Sequence, residues 1–263
     1  MHGIRWRRHF PGRFLQLALL VGLLGLGPVA GAAGDRNWTR EAVQQVLKQA
    51  GAGSPADLVD TDLSGLDLSG VDFKGANLRS VNLQGANLSG ADLSGANLDI
   101  SALYGANFSG ANLSGASLFS AQAPKANFQG ADLRKARVIG NFSNTDFSGA
   151  DLAGVRAGAD MKNQSMGMMN AVFYDADFEG ANLQGGDFGN ADFRFADLTE
   201  ANVRGADFSW ADLSGANFQR AAVAGADITK AKVGDADFRS SQGWKDLKGL
   251  DRTRERDQVL APE

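Results

Sequence analysis

Residues 86–98 read Ala-Asn-Leu-Ser-Gly-Ala-Asp-Leu-Ser-Gly-Ala-Asn-Leu, a tandem repeat of one five-residue unit. If its large apolar residue is called position i, then i falls at every fifth residue from Leu58 to Val138 and again from Met168 to Phe238. Of these 32 positions, 31 carry Leu, Phe, Val, Ile or Met, and Ala123 is the exception. Because internal repeats on this scale determine the architecture, this period decides the fold.

A five-residue period fits neither a helix, which repeats every 3.6 residues, nor a strand, which repeats every two. Position i−2 is Ala in 25 of the 32 units, and position i−1 is Asp or Asn in 24. We expect the small and the large apolar residue to point inward, while Asp or Asn and the polar residues after it form corners. Four such sides close a 20-residue square, and roughly nine coils at a spacing of about 4.8 Å make a rod on the order of 43 Å long.

This repeat resembles that of the pentapeptide-repeat family, whose consensus is Ala-(Asp/Asn)-Leu-x-x. The resemblance covers about 185 residues, from 56 to 240. It implies an all-β solenoid, a right-handed quadrilateral β-helix, in which the handedness follows from the family alone. Within this range we expect an irregular loop at about 139–167.

Phe142, Phe147 and Leu152 keep the five-residue spacing there but lie one residue out of phase. We interpret 153–165 as the loop that leaves the coil, with one missing residue offset by one extra.

The array needs a cover at each end, because terminal coils would otherwise expose their interior. Residues 33–55 are predicted to form an N-terminal capping helix and linker, with the helix over 38–50. Thr39 is its expected N-cap and Gly51 its stop. One apolar face of this helix is expected to cover the first coil, and its members are Val43, Val46, Leu47 and Ala50.

Residues 241–263 are predicted to form a C-terminal cap and a charged tail. We expect the last coil to be covered by Trp244, Leu247 and Leu250. Residues 251–263 are charged and are expected to be loose. In some family members a C-terminal segment mediates dimer formation, so a homodimer stays an open alternative.

The first 32 residues have the pattern of a secretory signal peptide. Four arginines and no acid precede the apolar run 14–27, and small residues follow it up to Ala32. The run is short for a membrane span, so we expect no stable span after cleavage, with an uncleaved anchor as the alternative. The expected location is the periplasm, or the thylakoid lumen of a cyanobacterium. Arg7-Arg8-His9-Phe10 resembles part of a twin-arginine signal, which leaves the export route open.

Composition excludes much enzyme chemistry. The chain has no cysteine, and its two histidines, His2 and His9, lie within the signal. Without 1–32, 22 basic residues remain against 30 acidic ones, a formal charge of −8. The usual general base, zinc ligands and activated nucleophiles are therefore missing. Because Asn substitutes freely for Asp at i−1, those carboxylates suit turn formation better than acid–base catalysis. We expect no enzyme activity, no cofactor and no nucleic-acid partner.

Two groups of residues are candidate sites. Met161, Met166, Met168 and Met169 form a cluster whose thioethers suit soft Cu(I), but inward positions for Met166 and Met168 favour core filling instead. The second group is an interaction patch. Tyr174 and Phe195 should share a face on adjacent coils, with Arg194 beside them and Trp210 one face away; aromatic residues and Arg are enriched at interfaces. The members of this patch are Tyr174, Arg194, Phe195 and Trp210.

Three functions fit the sequence. The first is an exported non-enzymatic scaffold that binds an unknown protein partner through its rigid surface. The second follows from the family, some of whose members resemble B-form DNA in charge and shape and bind DNA gyrase. Export and interleaved basic residues weigh against it. The third is ligand or soft-metal binding at the 153–170 loop.

Overall fold

The computed structural model describes residues 38–50, 54–159 and 169–262. Its regular elements are one helix, α1 (Arg40–Gln49), two strands, β1 (Ser117–Gln122) and β2 (Arg137–Asn141), and three short 3-10 helices. The 3-10 helices span Trp244–Asp246, Leu250–Arg252 and Arg256–Gln258. The signal-peptide and membrane-anchor interpretations fall outside the described residues. Within the described ranges, no helix is both long and apolar enough to span a bilayer.

Most of the chain is a four-sided coil whose sides pair with the side one coil away. Asp57 bridges Asn77 in parallel, and the same 20-residue step recurs along the array. The N–H of Leu58 donates to the carbonyl of Asn77 at 2.9 Å, and the N–H of Asn77 donates to that of Ala56 at 2.8 Å. Each side is so short that it makes isolated bridges, and only β1 and β2 are long enough to be strands, paired in parallel.

We number the sides by their first centres: side 1 carries Leu58, side 2 Leu63, side 3 Leu68 and side 4 Phe73. Corner 1 is the pair of residues that follows side 1, and the other corners are numbered likewise. Side 2 therefore lies between corners 1 and 2. The described centres make about nine coils, as the period predicts.

The large residues turn inward and fill the tube. The described centres from Leu58 to Phe238 are at most 1% exposed, and the alanines beside them are buried too. On side 3 the aromatic rings stack along the axis: ring centroids are 4.7 Å apart for Phe108–Phe128, 5.1 Å for Phe128–Phe147 and 4.9 Å for Phe147–Phe178. Such close packing of apolar side chains supplies the hydrophobic stabilisation of the rod.

Corners are built by the Asp or Asn at i−1 and by a left-handed residue at i+2. The Oδ1 of Asp92 accepts the N–H of Ser94 at 2.9 Å, and this turn recurs around the array. Asn residues also donate to the preceding coil, as Asn87 does to Asp67 at 3.1 Å. Position i+2 has a positive φ, which favours Gly and strains other residues.

The irregular region differs from its prediction in extent and in register. Residues 153–159 belong to the coil: Val155 and Ala157 are buried, and the N–H of Ala159 donates to the carbonyl of Gly189 at 2.9 Å. Ala157 and Phe173 are successive centres, because their sides pair with successive sides of the next coil. The inserted chain is therefore longer than one extra residue.

A bulge at corner 1 explains the missing residue. The pairing of β1 with β2 shifts between Phe119 and Ala121, so that Ala121 pairs with Gly140. A side chain at Gly140 would collide with the backbone of Ala121, which makes glycine necessary there. The one-residue loss and the insertion together amount to a whole number of five-residue units, which is why the original phase returns after the insertion.

Helix α1 lies against the first coils. The Oγ1 of Thr39 accepts the N–H of Ala42 at 3.3 Å, so Thr39 is the N-cap, and Val43 is fully buried. Trp38, Val46, Leu47 and Ala50 pack against the core. The guanidinium of Arg40 donates to the carbonyls of Asp67 and Ser69 at 3.0 and 2.7 Å. Gly51 lies outside the described residues.

The C-terminal segment is not a loose tail, so that expectation was wrong. Its backbone forms one more coil whose sides are six residues long: Gln242, Lys248, Arg254 and Leu260 bridge the sides of the preceding coil. The N–H of Leu260 donates to the carbonyl of Ala236 at 3.0 Å. Each side gains a residue because it holds a 3-10 turn. Trp244, Leu247, Leu250 and Val259 pack against the end of the core.

Candidate functional site

Among the described residues of the array, exposed large apolar side chains cluster around one side. Five of them are between 37% and 56% exposed, and all five stand at corners 1 and 2, which flank side 2. A sixth exposed apolar residue, Leu260, belongs to the terminal coil. The five are Ile100, Tyr104, Tyr174, Phe195 and Trp210. Aromatic residues are enriched in interfaces, so this clustering marks side 2 as the candidate site.

The middle of side 2 also differs from the other sides. Its outward i−1 residues in the third to sixth coils are Ala102, Gln122, Asn141 and Val172, none of which carries a charge. At the same level, side 4 presents Asp132 and Asp151. We call these four uncharged residues the floor, and the exposed side chains at corners 1 and 2 its borders.

Tyr174, Phe195 and Arg194 form a cluster at corner 2, as their spacing predicts. The Tyr174 and Phe195 ring centroids are 5.7 Å apart in an edge-to-face arrangement, and the Cζ of Arg194 lies 5.4 Å from the Tyr174 centroid. Phe195 lies over Gly215 in the next coil, where an added Cβ would be 2.6 Å from its Cδ1 atom. The Phe195 ring therefore packs directly against the backbone of Gly215.

Trp210 stands at corner 1, on the other border of side 2. The Nζ of Lys230 lies 4.2 Å from its ring centroid, and the Cζ of Arg254 lies 5.8 Å from it. Arg254 comes from the terminal coil, so this cluster is complete only when that coil is in place. Cations over an indole ring are attracted by its π-electrons.

Ile100, Tyr104 and Phe119 complete the borders at the N-terminal end of the floor, and sequence reasoning missed them. The guanidinium of Arg137 lies 3.9 Å from the Phe119 ring centroid. A signal was present: these residues stand at i+1 and i+2, where Ser and Gly prevail elsewhere. Only the alignment of the coils shows that they border the same side as Trp210.

Three arginines of the array neutralise the aspartate of their own turn. In Asp132-Leu133-Arg134 the guanidinium of Arg134 donates two hydrogen bonds to the carboxylate of Asp132, from Nε at 2.9 Å and from Nη2 at 2.5 Å. Arg194 and Arg239 bind Asp192 and Asp237 in the same way. The hydrogen bond from Arg134 lowers the pKa of Asp132, and the one to Asp192 raises the pKa of Arg194.

Asp212 on side 2 has a different partner, one coil away. Burial alone would raise the pKa of its carboxyl, but hydrogen bonds from Ser214 and Lys232 outweigh this and lower it. The Nζ of Lys232 is 2.9 Å from Oδ2 of Asp212. Asp192 and Asp212 on this part of side 2 are thus paired with Arg194 and Lys232, which suits a structural role better than proton transfer.

The described residues give no geometric support to the metal-binding and loop hypotheses. Among the described residues, no three His, Cys, Asp or Glu side chains are grouped to hold a metal ion. Met161, Met166 and Met168 lie outside the described ranges, so the inward positions expected of Met166 and Met168 stay a prediction. Met169 is described and half-buried.

Comparison with known proteins agrees with the repeat. Pentapeptide repeats match in eight copies, at residues 56–95, 101–138, 171–209 and 206–241, which is more than half of the chain. This chain therefore belongs to the pentapeptide-repeat family, whose fold is the right-handed quadrilateral β-helix. The comparison with curated proteins finds no match.

Several solved structures are similar. HetL, involved in heterocyst differentiation regulation in the cyanobacterium Nostoc sp. strain PCC 7120, is 25% identical over 77% of this chain and 86% of its own, with a TM-score of 0.49. QnrB1, a plasmid-mediated fluoroquinolone resistance protein, is 21% identical over 73% and 89%, with a TM-score of 0.41. A thylakoid-lumen protein of Arabidopsis thaliana is 24% identical over 66% and 68%, with a TM-score of 0.15.

Proposed function

We propose that this protein is an exported, non-enzymatic scaffold that binds a protein partner through side 2. The observation that carries the proposal concerns the described residues before the terminal coil: their five exposed large apolar side chains all stand at the two corners that flank one side. Corners 3 and 4 carry Ser, Thr, Gly, Ala, Gln and charged residues instead. A surface that only had to stay soluble would not concentrate its rings on one side.

Backbone conformation supports the proposal independently. Ile100, Phe195 and Trp210 occupy the i+2 position with φ of 63°, 61° and 63°. Non-glycine residues pay roughly 1–2 kcal/mol for this conformation, and a β-branched residue such as Ile100 is an outlier there. About half of each of these three side chains faces solvent, and strained apolar residues in such positions favour a role in binding.

Export and the absence of catalysis rest on the sequence. The first 32 residues have the pattern of a signal peptide, and without them the chain holds neither His nor Cys. DNA mimicry of the kind that binds a topoisomerase is less well supported, because Arg134, Arg194 and Arg239 neutralise their own turns and exposed rings interrupt the acidic surface.

A substitution experiment tests the proposal. Tagged full-length chain carrying Tyr174→Ser, Phe195→Ser and Trp210→Ser is purified from the producing cells beside the wild type. The matched control carries Gln129→Ser, Glu179→Ser and Gln184→Ser, which are exposed at corners 3 and 4. The proposal expects a protein that copurifies with the wild type and the control but not with the side 2 variant. Equal recovery by all three would refute it.

A further inference from the structure

We infer that the partner lays an amphipathic α-helix lengthwise along side 2, with its apolar stripe on the floor. This inference rests on the proposed function, since it names the structural class of that partner. Three features of side 2 carry it: the dimensions of the strip, the saturation of its backbone and the distribution of its charges.

The strip has the dimensions of a helix of about four turns. Ile100 and Trp210 stand on the same corner five coils apart, which at about 4.8 Å per coil gives a length of roughly 24 Å. A helix of about 16 residues has this length, and its diameter of about 10–12 Å is close to the span of a three-residue extended side. Ala102, Asn141 and Val172 are half-buried and Gln122 is exposed, while larger apolar side chains stand on both borders of the strip.

The backbone of side 2 has no free groups for an added strand. The N–H of Ala102 donates to the carbonyl of Val81 at 2.9 Å, and the carbonyl of Gln122 accepts the N–H of Leu103 at 2.7 Å. Each side of the array is hydrogen-bonded to both neighbouring coils in this way. An extended peptide on this surface would leave its own backbone unpaired, whereas a helix satisfies its backbone internally.

The charges indicate the polarity of the ligand. The floor, in the third to sixth coils, is uncharged. In the seventh and eighth coils side 2 carries Asp192 and Asp212, which are paired with Arg194 and Lys232, so the strip complements an apolar stripe better than a charged one. Beyond the floor, Lys230 and Arg254 lie over Trp210 and make no ion pair with any described carboxylate. Asp175 and Asp235 stand on the opposite corner. We therefore expect an acidic residue near the end of the bound helix that reaches Trp210, on the corner 1 side.

Selection from a displayed library of random 16-residue peptides tests the inference. The full-length chain is the target, and a variant with Ile100→Gly and Tyr104→Ser is the counter-target. Enriched peptides should carry apolar residues spaced three and four apart with an acid near one end, and should bind the variant about tenfold more weakly or worse. A second variant, Lys230→Gln with Arg254→Gln, should remove the preference for the acid while leaving the apolar spacing.

Other outcomes overturn the inference. These are enrichment of peptides with apolar residues at every second position, enrichment that the counter-target equals, or no enrichment above the starting library. Failure here is distinguishable from failure of the proposed function. If the cellular partner still depends on Tyr174, Phe195 and Trp210 while the library yields no helical motif, side 2 is the binding surface and only the helical class of its ligand is wrong.

Discussion

Phe195 covers Gly215, so that a Cβ built on the glycine would lie 2.6 Å from the Cδ1 atom of the ring. The two residues occupy the same corner position in successive coils, and both have a positive φ, of 61° and 69°. Two separate features therefore require glycine at position 215: its positive φ, and the Phe195 ring that fills the space of a Cβ. This relationship fixes one border of side 2.

Gly215→Ala should separate those two requirements. We expect a loss of about 1 kcal/mol in the free energy of unfolding from the left-handed backbone, together with displacement of Phe195 and weaker partner binding. Gly205→Ala is the matched control, because Gly205 has φ 64° and open space around its missing Cβ. Thermal melts should show similar losses for both variants, while binding should fall only for Gly215→Ala. Equal effects on binding would show that Phe195 has no role.

Ile100→Gly should stabilise the protein while weakening its function. Glycine relieves the left-handed strain at φ 63°, so we expect the free energy of unfolding to rise by about 0.5–1 kcal/mol. Ser80→Gly, one coil earlier at the same corner with φ 57°, should stabilise similarly and leave binding intact. Denaturant titration and partner binding measure the two effects. A destabilised Ile100→Gly protein would mean that this side chain packs for stability.

Phe128→Ala should be among the most damaging core substitutions. Phe128 lies in the side 3 stack between Phe108 and Phe147 and also contacts Phe142, with ring centroids 6.5 Å apart. Truncation of a buried Phe costs about 3–5 kcal/mol, because it removes contacts and leaves a cavity. Urea unfolding monitored by circular dichroism tests this value. Gln129→Ala, at the exposed corner beside it, should change stability by less than about 0.5 kcal/mol.

Acid should weaken the C-terminal end of the rod through Asp237. Hydrogen bonds from the Arg239 side chain, then from its backbone and from Gln219, lower the pKa of this carboxyl despite its partial burial. Because the pKa is lower in the folded state, the resulting stabilisation is present above the unfolded pKa of about 3.9 and disappears as the pH falls through the folded value. The melting temperature should therefore fall as the pH is lowered below about 4. Arg239→Gln should flatten this part of the profile; an unchanged slope would contradict the assignment.

Removal of the terminal coil should open the rod. Phe238 stacks on Phe218 with centroids 4.5 Å apart and is covered by Trp244 at 5.0 Å. A chain ending at Ser240 would expose this core, and we expect it to lose at least about 3 kcal/mol and to bind a hydrophobic dye. A chain ending at Leu260 should behave as the full-length protein does. If both truncations melt alike, the terminal coil does not contribute to stability.

The repeat predicted the packing of the tube, because one large residue in five can only be buried by a coil with five-residue sides. It also predicted the contact of Tyr174 with Phe195, which follows from their 20-residue alignment. Sequence reasoning failed where the repeat changes length. The insertion after Ala159 and the one-residue loss before it together span a whole number of five-residue units. The period is therefore the same on both sides, and it does not reveal the length of the insertion.

The terminal coil was missed for a related reason. Its six-residue sides lack the Ala-Asp-Leu signal, although Gly243 and Gly249 mark two of its corners. Side 2 as a whole was likewise out of reach, since it requires the register of all coils across the bulge at Gly140.

Photo-crosslinking from four successive corners tests the central claim most directly. A photoreactive residue is placed at Tyr104, Ser109, Ser114 or Phe119, which lie one per corner within a single turn of the coil. Side 2 lies inside corners 1 and 2, so the partner should crosslink from positions 104 and 119 and not from 109 and 114. Crosslinks of equal yield from all four corners, or only from 109 and 114, would contradict a partner bound on side 2.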